Sequence, residues 1–157
     1  MDKQKKAIEE RLAKELQNHE VELKKLPDNS IQVDLKSEAS FTSNSSEVKA
    51  SFGDALTKLG GVINEYNGTA VHVIGHTDNQ GSMAHNQQLS QARASAVASK
   101  LTNAGVNVQR VITEGRGETQ PKASNSSVEG RNQNRRVEIY LKPVVEGQEQ
   151  AAFAPPK

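Results

Sequence analysis

The chain has 157 residues, a formal charge of +1 at neutral pH, and no cysteine or tryptophan. That length suits one compact domain with some peripheral length, and the missing cysteines exclude disulfide staples, thiolate metal centres and a cysteine nucleophile. The near balance of 20 basic and 19 acidic residues provides no broad field to attract nucleic acid or an acidic membrane, so anion recognition has to be local.

No early apolar run is long enough for a secretory signal or a spanning helix. The first predicted element is an amphipathic helix over residues 2–18, where Ile8, Leu12 and Leu16 recur at four-residue spacing among Lys and Glu. This narrow stripe offers core packing, or a contact for a second copy or a partner protein. Continuing it through His19, Leu23 and Leu26 would give a coiled coil. Alternation of Val21 with Leu23, then of Ile31, Val33 and Leu35, around the turn Pro27-Asp28-Asn29-Ser30 favours a hairpin instead.

Residues 40–46 read as polar loop with Phe41 as a core anchor. A helix follows, capped by Ser46 and carrying Val48, Phe52, Ala55, Leu56, Leu59, Val62 and Ile63 on its apolar face until Tyr66-Asn67-Gly68. Residues 69–75 form a strand whose apolar content indicates a sheet interior. The next helix, residues 82–103, directs Leu89, Ala92, Ala96, Val97 and Leu101 inward and stops at Gly105. A strand at Val111-Ile112-Thr113 leads to Glu114-Gly115-Arg116-Gly117, and Val137 to Leu141 supply the last strand. The expected fold is a two-layer α/β sandwich with both long helices on one side of a small mixed sheet. Residues 1–35 form an N-terminal helix and hairpin, 36–142 the main domain, and 143–157 a flexible tail with little to bury.

The chemistry concentrates after the strand that ends in His76. Ile74-Gly75-His76-Thr77-Asp78, Asn86, Leu89-Ser90, Arg93-Ala94, Gly115-Arg116-Gly117-Glu118, Pro121, Asn125, Gly130-Arg131 and Asn134-Arg135-Arg136-Val137-Glu138 occur in an order and spacing that resembles the OmpA-like peptidoglycan-binding domain. This is the C-terminal module of OmpA, peptidoglycan-associated lipoprotein and flagellar motor protein B. The similarity runs from Phe41 to Leu141, and the stretch before Phe41 resembles YiaD-type outer-membrane lipoproteins of the same family.

The resemblance implies a non-catalytic binder of the peptidoglycan stem peptide, acting through its meso-diaminopimelate residue. It implies a place on the periplasmic face of the outer membrane of a Gram-negative bacterium, reached through an anchor absent from this chain. Asp78 and Arg93 match the family's clamp, and Arg135 matches an arginine that the family places near the pocket. The chemistry agrees. Diaminopimelate carries an ammonium and a carboxylate on one side-chain carbon, so Asp78 can accept from the first while the Arg93 guanidinium grips the second through a charge-assisted fork. Lysine in the same stem position would lack the carboxylate. Asn86, seven residues before Arg93, shares its helical surface and can bridge ligand and loop. Thr77 fixes the loop by its hydroxyl, Gly81 permits the turn, and amides from Thr77 to Gly81 can add donors. Leu89 reads as core by its period and is also counted among the ligand-binding candidates.

Simpler roles exist for the same residues. Asp78 and Asn86 can serve only the loop, Arg93 can be a surface ion-pair partner, and Arg131, Arg135 and Arg136 can pair with Glu118, Glu129 and Glu138. His72 and His76 lie about 13 Å apart on an extended strand, too far to share a zinc ion. No cofactor is expected. A Gly-x-Ser-x-Gly elbow is absent, as is a second acid beside Asp78, which argues against a hydrolase. The scarcity of aromatic side chains argues against nucleic-acid binding. The alternative from another class is an envelope protein-protein interaction module that does not touch peptidoglycan.

Overall fold

The computed structural model describes residues 2–42 and 44–156. The N-terminal stripe forms α1 (Asp2–Arg11) and α2 (Ala13–Gln17). The ladder runs through the break at Leu12, whose N–H donates to Ile8 and whose carbonyl accepts from Leu16. Ile8 and Leu12 are fully buried in the main core. Ile8 and Leu12 of the stripe are thus taken up by the core that α1 shares with α4 (Ala50–Glu65), while Leu16 is half-buried against it.

Strands β1 (Val21–Lys25) and β2 (Ile31–Lys36) pair antiparallel around the turn at Asp28, whose carboxylate accepts from Ser30 N at 2.9 Å. Both belong to the same five-stranded sheet as β3 (Thr69–His76), β4 (Val111–Gly115) and β5 (Arg136–Pro143), in the order β1-β2-β5-β3-β4. Only β3 and β4 run parallel, joined by the crossover helix α5 (Met83–Asn103). A boundary at residue 36 would cut the β2–β5 ladder, so the N-terminal segment is part of this domain. The helix expected to start at Ser46 begins later. Residues 41 and 48 pair as an isolated bridge, Ser37–Ser40 forms the short helix α3, and Lys49 precedes the first turn of α4 without a side-chain cap.

One sheet face is apolar. Val33, Ile139 and Val73 lie side by side across β2, β5 and β3, as do Leu35, Val137 and Gly75 one step along. Helices α1, α4 and α5 cover this face. The opposite face carries Gln32, Asp34, Arg136, Glu138, Tyr140, His72 and His76, all buried. The C-terminal segment expected to be flexible helps to cover it. It forms α7 (Glu149–Phe153), buries Ala152, and supplies carbonyls to His72 Nε2 at 2.7 Å (Ala152), to Lys142 Nζ at 3.1 Å (Ala154) and to Arg116 (Pro156). The physical reason is the strand alternation itself. A sheet face rich in buried donors needs acceptors, and a polar tail can satisfy them through its backbone.

Glycine sets how closely α5 approaches the sheet. A Cβ on Gly75 would stand 2.1 Å from the carbonyl oxygen of Ser90, and one on Gly115 would stand 2.5 Å from Gln91 N. With that contact made, the buried stripe of α5 is Asn86, Ser90, Arg93, Ala94, Val97, Ala98 and Leu101. Of the expected inward residues Val97 and Leu101 are buried, Leu89 and Ala96 are half-buried, and Ala92 is exposed. Apolar periodicity pointed elsewhere because the first two turns bury polar side chains.

Two stability measurements follow from this packing. Ile8→Ala should lower the unfolding free energy by about 3 kcal/mol, the scale of a core truncation, whereas a peripheral helix would show almost none of that loss in urea denaturation. Gly75→Ala should destabilise by roughly 1–3 kcal/mol, because overpacking must push α5 off the sheet.

Candidate ligand-binding cleft

The cleft opens at the carboxyl end of β3. A left-handed Gly81 (φ 87°) turns the chain from Asp78 into α5, and Ser82 caps that helix by accepting from His85 N at 3.1 Å. Thr77 is fixed on both sides: its N–H donates to Gly117 O at 2.8 Å and its hydroxyl donates to Asp78 O at 2.8 Å. Asn86 is buried, and its amide donates to Asp78 O at 3.3 Å and to Glu118 at 3.2 Å. Its donors thus hold the loop, leaving its oxygen as the polar atom for any further partner.

Asp78, Arg93 and Arg135 converge on one cavity of about 720 Å³, walled also by Glu38, Phe41, Thr77, Gly81, Asn86 and Leu89. Every ligand-binding residue expected from the sequence lies on this wall. Leu89 is a half-buried wall residue there, not core. Asp78 is 5% exposed; its Oδ1 accepts from Gln80 N at 3.0 Å and its Oδ2 pairs with Arg135. Arg135 also pairs with Glu38 at 3.2 Å and donates to Asn132. Arg93 is 4% exposed, lies over the Phe41 ring with 4.9 Å from its guanidinium carbon to the ring centroid, and donates from Nε to Ser45 O at 2.8 Å. Among the described residues neither Nη group of Arg93 has a protein partner. Burial lowers the Arg93 pKa below its ordinary value, and the Arg135 charge lowers it further against the opposing effect of Asp78. An anionic group placed between the two arginines would relieve both effects.

Glu38, on the one-turn helix α3, is the residue the sequence reading missed. It sits 97 positions from Arg135 and within a polar stretch, so no local spacing marks it. Phe41 was read only as core; its second role, under the guanidinium, depends on the rotation of α5. The remaining arginines sort into structural pairs. Arg116 meets Glu114 and Gln120 on the other sheet face, Arg131 donates to Asn125 O, and Arg136 pairs with Glu138 at 2.9 Å.

His76 ends β3 on that other face, with Nε2 2.8 Å from Glu138 Oε1. Tyr140 donates to the same carboxylate at 3.2 Å. Burial alone would raise the Glu138 pKa, but the hydrogen bond and charge of His76 together with the Arg136 guanidinium outweigh it and hold the carboxyl at about 2. Asp34, directly opposite Glu138 in the ladder, is raised instead, by burial first and by the Glu138 charge, against the hydrogen bond from Gln32. His72 donates to the tail and lies away from the cleft. Among the described residues no group of three or more His, Asp or Glu is placed to hold a metal ion.

Residues 40–135 match the model of the OmpA family. The chain is 45% identical over 114 residues to the probable lipoprotein YiaD of Escherichia coli, an alignment covering 73% of this chain and 52% of that protein. It is 32% identical over 116 residues to the outer-membrane lipoprotein YfiB of Pseudomonas aeruginosa, covering 74% and 69% respectively. The chain thus spans about half the length of YiaD. Among solved structures it superposes on the cell wall anchor of the type VI secretion system from Pseudomonas aeruginosa with a TM-score of 0.78 and 32% identity, covering 87% of this chain and 96% of that one.

The buried carboxylate gives a pH signature. Because the folded pKa of Glu138 lies near 2 against an ordinary 4.5, its stabilising effect is complete above about pH 4.5 and is lost as the pH falls toward 2. Urea midpoints recorded from pH 6 down to pH 2.5 should therefore fall more steeply for the wild type than for Glu138→Gln. Parallel profiles would show that the pairing contributes nothing to acid sensitivity.

Proposed function

The chain belongs to the OmpA family, and from that membership and the cleft we propose that it binds peptidoglycan non-covalently, gripping the meso-diaminopimelate of the stem peptide and tethering the outer membrane to the cell wall. The observation that carries this reading is one cleft holding a buried aspartate and a buried arginine whose Nη groups have no protein partner among the described residues. The distal carbon of diaminopimelate presents an ammonium to Asp78 and a carboxylate to the Arg93 fork. Thr77, Gly81 and Asn86 set the loop geometry, Leu89 and Phe41 give the apolar floor for the methylene chain, and Arg135 adds a second cation beside the carboxylate.

The role is binding without catalysis, in the periplasm at the outer membrane, and the relative YfiB is named as an outer-membrane lipoprotein. A solved relative is described as a cell wall anchor, which supports the anchoring reading for this chain. One site of this kind holds weakly; many copies on one membrane, or a membrane anchor that raises the effective concentration, would give retention.

The test is cosedimentation with purified sacculi of the diaminopimelate type. Asp78→Ala and Arg93→Ala should each weaken retention about tenfold or more, the scale of one lost charge-assisted contact. Arg93→Lys should recover little, because an ammonium cannot form the fork. Folded variants that sediment like the wild type would remove the clamp and leave the envelope protein-interaction reading in its place.

A further inference from the structure

Resting on the diaminopimelate reading above, we propose that Glu38 admits the zwitterionic ligand to the cleft by taking Arg135 from Asp78 when a ligand ammonium arrives. Glu38 touches no ligand in this scheme; it is a positioning residue that acts through Arg135.

The argument starts from Asp78, both of whose oxygens are already engaged. Oδ1 accepts from Gln80 N and Oδ2 pairs with Arg135. An incoming ammonium has to compete with that guanidinium. Arg135 is only a quarter exposed, so losing Asp78 with no second carboxylate at hand would leave a poorly solvated cation. Glu38 prevents this. Its carboxylate stands 3.2 Å from Arg135 Nη2, on the other nitrogen from the one that meets Asp78. Its backbone is pinned beside the cleft by Lys49 Nζ, which donates to Glu38 O at 2.7 Å, and by the bond from Ser37 N to Arg135 O at 3.1 Å. Among the described residues Asp78 and Glu38 are the two carboxylates paired with Arg135. The guanidinium can thus shift toward Glu38 without leaving the cleft.

The consequence depends on the ligand. When the ammonium comes with a carboxylate on the same carbon, Arg135 moves toward Glu38 and still faces an anion together with Arg93. When the ammonium comes alone, as on a lysine stem, two guanidinium groups and the ligand cation share Asp78 and Glu38 with no added anion. The cleft then rejects the ligand by like charge as well as by an unfilled fork. Arg135 is the source of that discrimination, and Glu38 is what lets the zwitterionic ligand displace it.

The experiment titrates the full chain with two synthetic tripeptides, L-alanyl-γ-D-glutamyl-meso-diaminopimelate and its L-lysine counterpart, at low ionic strength by amide NMR. Free lysine is unsuitable because its own α-carbon carries the same ammonium and carboxylate. Glu38→Gln should weaken the diaminopimelate tripeptide about three- to fivefold, the scale of a partly exposed ion pair. Arg135→Ala should narrow the preference for diaminopimelate by strengthening binding of the lysine tripeptide, and adding Glu38→Gln to it should change nothing further. Wild-type affinity in Glu38→Gln, or an equal loss in the Arg135→Ala background, would overturn the role of Glu38. If Asp78→Ala abolishes binding in that same series, the clamp itself stands. A wild-type chain that binds neither the diaminopimelate tripeptide nor a larger muropeptide overturns both.

Discussion

The seating of α5 on β3 and β4 is the contact on which the site depends. Gly75 and Gly115 remove the Cβ atoms that would hold the helix away, so the backbone at Ser90 and Gln91 lies directly on the strands. Polar clips then lock the approach: Ser90 Oγ accepts from Gly117 N at 2.9 Å, Gln91 Oε1 accepts from Gly115 N at 2.9 Å, and Gln87 Nε2 donates to Gly115 O at 2.5 Å. Because Asn86, Ser90 and Arg93 share one helical face, fixing Ser90 on the sheet aims Asn86 at the Asp78 loop and Arg93 into the cleft. The aim of Asn86 and Arg93 at the cleft thus follows from two missing methyl groups.

The sheet separates two kinds of interior. Its helix-covered face is aliphatic and supplies the core that holds α1, α4 and α5. Its other face is a buried network centred on Glu138, which meets His76, Arg136 and Tyr140. Such a network is not a strong source of net stability, since desolvation offsets much of the attraction. It does fix the end of β3, because His76 is the residue before Thr77 and any slip there would move Asp78. The tail helix and the loop around Gln120 close this face, which gives the C-terminal segment a structural role.

Within the cleft the guanidinium groups of Arg93 and Arg135 face the buried Asp78 and the more exposed Glu38. Two buried or half-buried arginines near one buried aspartate favour a partner that brings its own anion along with a cation. Arg93 is oriented from two directions, by the Phe41 ring and by the Ser45 carbonyl, so its Nη edge is preset for a fork. Asp78 is held differently. Its partner Arg135 reaches from the end of α6 (Val128–Asn134), and Glu38 pairs with the other end of that guanidinium, so the surroundings of Asp78 are set by side chains distant in sequence.

Much of this was legible from the residues. Alternation around Asp28 marked the hairpin, Ser82 and Gly105 bounded α5, and the run from Ile74 to Arg93 pointed to residues that line one cleft, because turns, caps and strand ends are written in local chemistry. The inward face of the first turns of α5 was not legible, since Asn86, Ser90 and Arg93 are polar and periodicity counts only apolar side chains. Nor was the docking of the tail, which uses backbone carbonyls that any sequence provides. The sequence by itself determined which elements form and which charged residues stand at the end of β3. Only the tertiary structure decided that Glu38, Arg135 and Asp78 meet around one cleft, because those contacts join segments up to 97 residues apart.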